Sequence, residues 1–207
     1  LPAPYIETFD GLAIGASGSM TNGWTATPDV DYHWLANSGQ TSSINTGPSG
    51  DHTTGSGNYM YTEASVPAVA GDMADLISWC IDLSPLTSPH LGFWYHKYGV
   101  DMETMYITVV SSMGIPTIVD SIVGETQLSN ADAWLYRQVD LNAFTGQTIF
   151  VAFTGVRGAS FDGDMAIDDV MLGDAPNVDL GPDLTICDST TLDAGAGYAS
   201  YAWSTGD

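Results

Sequence analysis

At 207 residues with 44% hydrophobic side chains, the chain is long enough to bury a core and is no disordered tail. Its three basic residues, Lys97, Arg137 and Arg157, stand against 25 acidic ones, a formal charge of −22. A surface of that sign repels phosphate backbones and anionic lipid, which excludes nucleic-acid binding and attraction to a membrane surface. No stretch approaches the ~20 apolar residues that a membrane-spanning helix needs.

In chain order, Glu7 and Asp10 mark the edge of a first strand. From Gly11 to Gly57 the chain is irregular and rich in Gly, Ser, Thr and Asn, yet Trp24, Tyr32 and Trp34 lie inside it. Loops longer than ~15 residues in compact domains are usually functional or disordered. Embedded aromatics weigh against disorder, so a long loop pinned across one sheet is expected. Short apolar runs between turn residues then predict strands over 58–63, 75–81, 91–98, 104–110, 116–123, 134–141, 148–154 and 164–172. Several alternate: Leu135, Val139 and Leu141 share one face against Gln138 and Asp140, and Ile149, Val151 and Phe153 oppose Phe150, Ala152 and Thr154. Ten Tyr against six Phe suit half-buried strand faces. These features predict an all-β, two-sheet jelly-roll sandwich with Phe93, Tyr95, Ile149, Val151 and Phe153 in its core.

The rhythm breaks at the polar stretch 173–177. The expected organisation is a sandwich over 1–173, a linker over 174–182 and an incomplete second β-module over 183–207. The chain opens on Leu1 and stops at Asp207 within a strand-like run, so both natural termini read as missing and the lack of a signal peptide carries no weight. Cys80 and Cys187 make neither a disulfide framework nor a zinc site, and they fall in different modules, so a bond between them is not expected.

Catalytic signatures are missing. There is no His-Glu-x-x-His helix, no Gly-x-Ser-x-Gly elbow and no phosphate-cradling loop leading to a Lys. His96 sits within an aromatic strand and reads as a packed or hydrogen-bonded residue. His52, in a turn after Asp51, reads as a pin for its loop. Arg157 lies between glycines in a turn and reads as a fork bonding carbonyls or carboxylates of the long loop.

Four stretches, in order, carry a family resemblance. The first runs from Gly47 to Ser65 and includes Asp51, His52, Gly55, Gly57, Tyr59, Tyr61 and Glu63. The second is Leu91 to Gly99 with Met102, the third Trp134 with Val139, Asp140 and Leu141. The fourth joins 153–158 to Gly163, Asp164, Ile167, Asp168, Asp169 and Val170. Across roughly residues 5–173 this resembles the MAM family, named from meprin, the A5 antigen and the mu receptor phosphatase. The resemblance implies a jelly roll used outside cells for adhesion and self-association, without catalysis. The chain departs from the family in its cysteines, since Cys80 is alone in the module where animal members usually have intradomain pairs. Core packing or a bound ion must then carry more of the stability. The tail, with Leu180, Pro182, Ile186, Cys187, Gly195, Tyr198 and Trp203, resembles the opening of immunoglobulin-like or PKD-like repeats of bacterial surface and secreted proteins.

Calcium is the cofactor these residues point to. It takes six to eight oxygens, carboxylate and carbonyl, on bent, Gly-rich backbone. The stretch from Gly50 to Gly57 supplies such backbone with Asp51, the first strand supplies Glu7 and Asp10, and the last supplies Asp168 or Asp169. In jelly rolls of this kind the first and last strands are often neighbours. Adjacent residues on a strand point to opposite faces, so only one of that Asp pair is expected at the ion. Alternation does not choose between them, and resemblance to related jelly rolls favours Asp168. A hydrogen-bonded cluster without metal is the other reading of the same residues.

The function expected is therefore a non-catalytic recognition module of a larger secreted or cell-surface protein, binding a protein or glycan ligand or its own kind, with no membrane insertion. The alternative is a carbohydrate-binding module appended to a secreted hydrolase or protease. That function needs exposed aromatics, for which Trp24, Tyr32, Trp34 and Trp79 are the candidates, although most of them are expected in the core. A polar, Pro-containing linker predicts that limited proteolysis within 174–182 releases a core that melts at the temperature of the uncut chain. Unfolding of residues 5–173 after such a cut would place the boundary elsewhere.

Overall fold

Alternation builds the sheets. In β8 (Met105–Ser111) every second side chain, Met105, Ile107, Val109 and Ser111, is buried. In β11 (Thr148–Val156) Ile149, Val151 and Phe153 face inward while Phe150 is 36% exposed. The computed structural model describes residues 1–27 and 31–175. Among them the remaining strands are β1 (Tyr5–Glu7), β2 (Thr25–Ala26), β3 (Trp34–Asn37), β4 (Tyr59–Thr62), β5 (Met73–Ile77) and β6 (Ile81–Asp82). Then come β7 (Pro89–His96), β9 (Pro116–Ile122), β10 (Leu135–Asp140) and β12 (Ala166–Asp174), with one 3-10 turn at Asn142–Phe144. No helix of the described residues is long and apolar enough to cross a membrane.

Two six-stranded sheets result. Sheet I runs β10-β7-β12-β4-β3, with β1 also on β12; sheet II runs β2-β5-β11-β8-β9, with β6 also on β11. All the ladders are antiparallel. The fold is thus the all-β sandwich that the pattern predicts, and the first strand does lie beside the last. The expected core residues Phe93, Tyr95, Ile149, Val151 and Phe153 are all buried. Phe93 from sheet I meets Phe153 from sheet II edge to face, centroids 4.9 Å apart, and Trp24 stacks on Phe153 at 6.3 Å. Trp34 in sheet I donates its indole N–H to the carbonyl of Ala74 in sheet II (3.1 Å), so a fully buried donor is satisfied across the layer. Lys97 is also wholly buried; its Nζ donates to the carbonyls of Glu103 and Ile122, each at 2.6 Å, and burial pushes its pKa down to about 7.

Three sequence expectations change. The 11–57 stretch is not one loop: it contributes β2 to sheet II and β3 to sheet I, and only 38–57 crosses the outer face of sheet I as a loop. β2 has only two residues, and in β3, where Trp34 and Ala36 are buried and Leu35 and Asn37 are not, the residue types do not alternate with the burial. Leu135 is 40% exposed rather than buried with Val139, because β10 is the edge strand of sheet I, with no strand paired on its outer side, and only Val139 of it is buried. β12 extends through Asp174, whose carboxylate accepts the N–H groups of Thr87 (2.8 Å) and Ser88 (2.6 Å), one residue past the expected division. Residues 176–182 of the expected linker, the expected second module and Cys187 lie outside the described residues.

Truncating Phe153 removes the ring on which both Phe93 and Trp24 pack. Phe153→Ala should cost about 3–5 kcal/mol in chemical denaturation. Phe150→Ala, on the opposite face of the same strand, should cost well under half of that. Equal losses would refute the assigned facing of β11.

Candidate functional site

Acidic side chains with nearby N–H groups form turns, and the stretch after Gly50 is built that way. Asp51 Oδ2 accepts the N–H of Thr54 (2.9 Å) and Oδ1 that of Gly57 (2.7 Å), closing the 51–57 turn on itself. Burial opposes the charge of Asp51, but these N–H groups outweigh it and hold the carboxyl below its ordinary range. Asp10, just past β1, accepts the N–H of Asn58 at 2.8 Å. Gly57 lies between the two: a Cβ there would collide with Asp10 Oδ1 and come within 2.9 Å of Asp51 Oδ2. Only glycine lets both carboxylates close on this backbone.

Sheet I holds the same turn from below. Asp168 on β12 is 2% exposed; its Oδ2 accepts the N–H of His52 (3.0 Å) and its Oδ1 that of Asp169 (2.8 Å). Burial, reinforced by the charges of Asp169 and Asp51, pushes the Asp168 pKa up to about 8 in spite of those donors. Asp169 has φ 46° at a break in the β12–β7 register between Asp168 and Met171. This bulge overrides strict alternation. Both carboxylates reach the same residue, Asp168 the backbone of His52 and Asp169 its ring, with Oδ2 2.6 Å from Nδ1. The imidazole lies flat on Trp94, centroids 3.8 Å apart at 15°. His52 is thus the expected pin. Farther along, Trp134 Nε1 donates to the carbonyl of Gly50 (3.2 Å), and Tyr59 lies edge-on to Trp134 at 5.6 Å.

Of the sequence-predicted ligands, Asp10, Asp51 and Asp168 all clasp the 51–58 backbone. Asp169 grips the ring of His52 and hydroxyl of Thr53. Glu7 faces Val170 across the β1–β12 ladder and turns to the N–H of Phe9 and the hydroxyl of Tyr5, each at 2.8 Å. Among the described residues no three His, Cys, Asp or Glu side chains gather into one metal-holding group. The donor chemistry nonetheless suits a hard cation: carboxylates meet on Gly-rich backbone, one of them buried with no basic side chain against it. Arg157 is a buried fork as expected, but its Nε and Nη2 donate to the carbonyl of Ala64, just past β4, rather than to the long loop. His96 is fully buried against Trp134, and among the described residues neither ring nitrogen has a hydrogen-bond partner.

The candidate aromatic platform does not form. Trp24, Tyr32 and Trp34 are core residues, at most 1% exposed, and of the four only Trp79 reaches the surface. Sequence reasoning missed the exposed aromatics Phe161 and Tyr136; the signal for Tyr136 is its place on the face of β10 shared by Gln138 and Asp140.

Residues 17–176 match the family described as MAM domain, meprin/A5/mu. The MAM domain-containing glycosylphosphatidylinositol anchor protein 1 of Gallus gallus is 37% identical over 150 residues, covering 69% of this chain and 15% of that protein. Thyroid hormone-induced protein B of Xenopus laevis is 34% identical over 149 residues, covering 69% of this chain and 20% of that protein. The chain thus spans a fifth or less of these curated relatives. Among solved structures, the K2 cleaved adhesin domain of Lys-gingipain superposes with a TM-score of 0.57 at 18% identity, covering 84% of this chain and 99% of that one. That likeness shows the fold alone.

Burial gives His96 a clear acid signature. It pushes the pKa down from 6.5 to about 4, only partly offset by the charge of Asp132. Between those values the unfolded chain takes up a proton that the folded one refuses, so stability falls as pH falls through this window. The loss should approach about 3 kcal/mol by pH 4. His96→Phe, which keeps the ring against Trp134, should remove that part of the slope. Parallel stability–pH curves for the two proteins would contradict the assignment.

Proposed function

The chain belongs to the MAM family, and from that premise we propose that it is a non-catalytic adhesion or recognition module of a larger extracellular protein, stabilised by calcium. The carrying observation is the extent of the family match, which starts before β2 and runs past the end of β12, taking in both sheets. Its place is outside the cell, secreted or at the cell surface, as in the glycosylphosphatidylinositol-anchored relative. The ligand is a protein or glycan of a neighbouring surface. A charge of −22 opposes close approach of a second copy, which favours unlike partners over self-association. Beads carrying the chain should adhere to cell or matrix surfaces, and beads carrying a variant with 51–57 replaced by a short Gly-Ser turn should adhere less. Equal adhesion by both would count against the loop-bearing face as the contact surface.

Asp10, Asp51 and Asp168 would hold the calcium, with Glu7 and Asp169 beside them. Bound there, the ion supplies positive charge to a buried carboxylate and ties β1, the 51–58 turn and β12 together. Binding of this kind stabilises only the folded form, by about 2.7 kcal/mol at 100 times the dissociation constant. For a domain of this size the melting temperature should rise roughly 5–10 °C. Mg²⁺ at equal concentration should do much less, because it is smaller and holds its waters. Asp168→Asn and the milder Asp10→Asn should each remove most of the calcium-specific rise. A response shared by Mg²⁺, or kept by both variants, would reduce the effect to screening of net charge.

A further inference from the structure

The 38–57 loop covers only one end of the outer face of sheet I. Past His52, whose ring covers one face of the half-buried Trp94, the face opens onto Tyr136. Tyr136 is 43% exposed and meets Trp94 with centroids 5.3 Å apart and planes 51° to one another. Both rings are locked. His52 backs Trp94 and is itself gripped by Asp169. The hydroxyl end of Tyr136 lies over Gly92, where a Cβ would collide with it and come within 3.0 Å of Met171 Cγ. The phenol therefore lies along the sheet, and its exposed part is a ring face. Tyr59 and Tyr61, at the covered end of the same face, are buried in an aromatic cluster with Trp134. Tyr136 has no such cover.

The surroundings define what would lie on these rings. Gln138, opposite Gly92 in the β10–β7 ladder, and Asp140, opposite His90, are exposed on the same side as Tyr136. None of the chain's three basic side chains faces them. Lys97 and Arg157 are buried on backbone carbonyls, and Arg137 forks onto Asp120 of β9. Of basic groups among the described residues, only the imidazoles of His90, opposite Asp140, and His52, already held by Asp169, lie at this open end of the face. A sulfated, phosphorylated or carboxylated ligand would meet Asp140 with no Lys or Arg to pair with, so the ligand is neutral. It has a flat apolar face for the rings and hydroxyls for an amide and a carboxylate at the edge. Met171 and, across the β1–β12 ladder from it, Ile6 extend the apolar part of this face, but a protein partner covering about 800 Å² on its side of the contact would have to desolvate Asp140. We propose that Trp94 and Tyr136 form a platform for a neutral glycan, with Gln138 and Asp140 taking its hydroxyls.

This refines the recognition reading, and its test is separate from that of calcium and of adhesion. Affinity electrophoresis of the full chain through gels containing xylan, mannan, mixed-linkage β-glucan or, as an anionic control, dextran sulfate reads it directly. At least one neutral polysaccharide should retard the chain and dextran sulfate should not. Tyr136→Ala should weaken that retardation about tenfold with an unchanged melting temperature, and Tyr136→Phe should keep most of it. No retardation in any neutral gel, or equal retardation of Tyr136→Ala, overturns the platform. A chain that sediments as a dimer dissociated by Tyr136→Ala also overturns it and gives this face to a second copy, leaving the adhesive reading intact.

Discussion

The bulge in β12 at Asp168 and Asp169 is the constraint on which the outer face of sheet I depends. A regular strand would send these carboxylates to opposite faces. The left-handed conformation of Asp169 brings both to His52, one to its backbone and one to its ring. That double grip seats the 51–57 turn, which in turn backs Trp94 and orients Trp134. A residue held at positive φ without being glycine costs of order 1–3 kcal/mol, a strain that recurs at functional sites. Here its return is a loop fixed on a sheet that would otherwise be bare.

The charge balance explains much of the remaining architecture. With so few cations, the chain meets its buried carboxylates with backbone N–H groups instead of ion pairs. Asp51, Asp164 and Asp168 each accept such donors. The outcome differs with burial: Asp51 is held below its ordinary range, whereas Asp164 is pushed up to about 7 and Asp168 to about 8. The few basic side chains are used the same way, Lys97 and Arg157 donating to carbonyls at chain crossings. Their positive charge is hidden from the surface, and the outside stays acidic. That single sign selects among ligands, against anionic ones, without any specific contact.

The two ends of sheet I's outer face have different chemistry for one reason. The loop from β3 to β4 is long enough to cross β4 and β12 and reach Trp94 on β7, but it leaves β10 uncovered. Aromatic residues under it have their polar atoms satisfied, as Tyr59 donates to Gly39 O (2.7 Å) and Trp134 to Gly50 O. Beyond it Tyr136 stays exposed. How far one loop extends thus decides which rings of this face solvent reaches.

The longer strands, the two-sheet architecture and the inward residues of β7 and β11 were legible in the sequence, because alternation is a local property of each strand and half-burial leaves it visible. The acidic residues around Gly57 were legible too, as turn-forming Asp next to Gly. Tertiary structure alone decided what these residues face. It decided which of the four candidate aromatics lie in the core, burying Trp24, Tyr32 and Trp34 and leaving Trp79 exposed, since a loop's aromatics carry no period from which their side can be read. It exposed Leu135 because edge position depends on strand order, which non-local pairing sets. It brought Asp168 and Asp169 to one histidine through a bulge, a one-residue register break that depends on the neighbouring strand and has no signature in the run of residues itself.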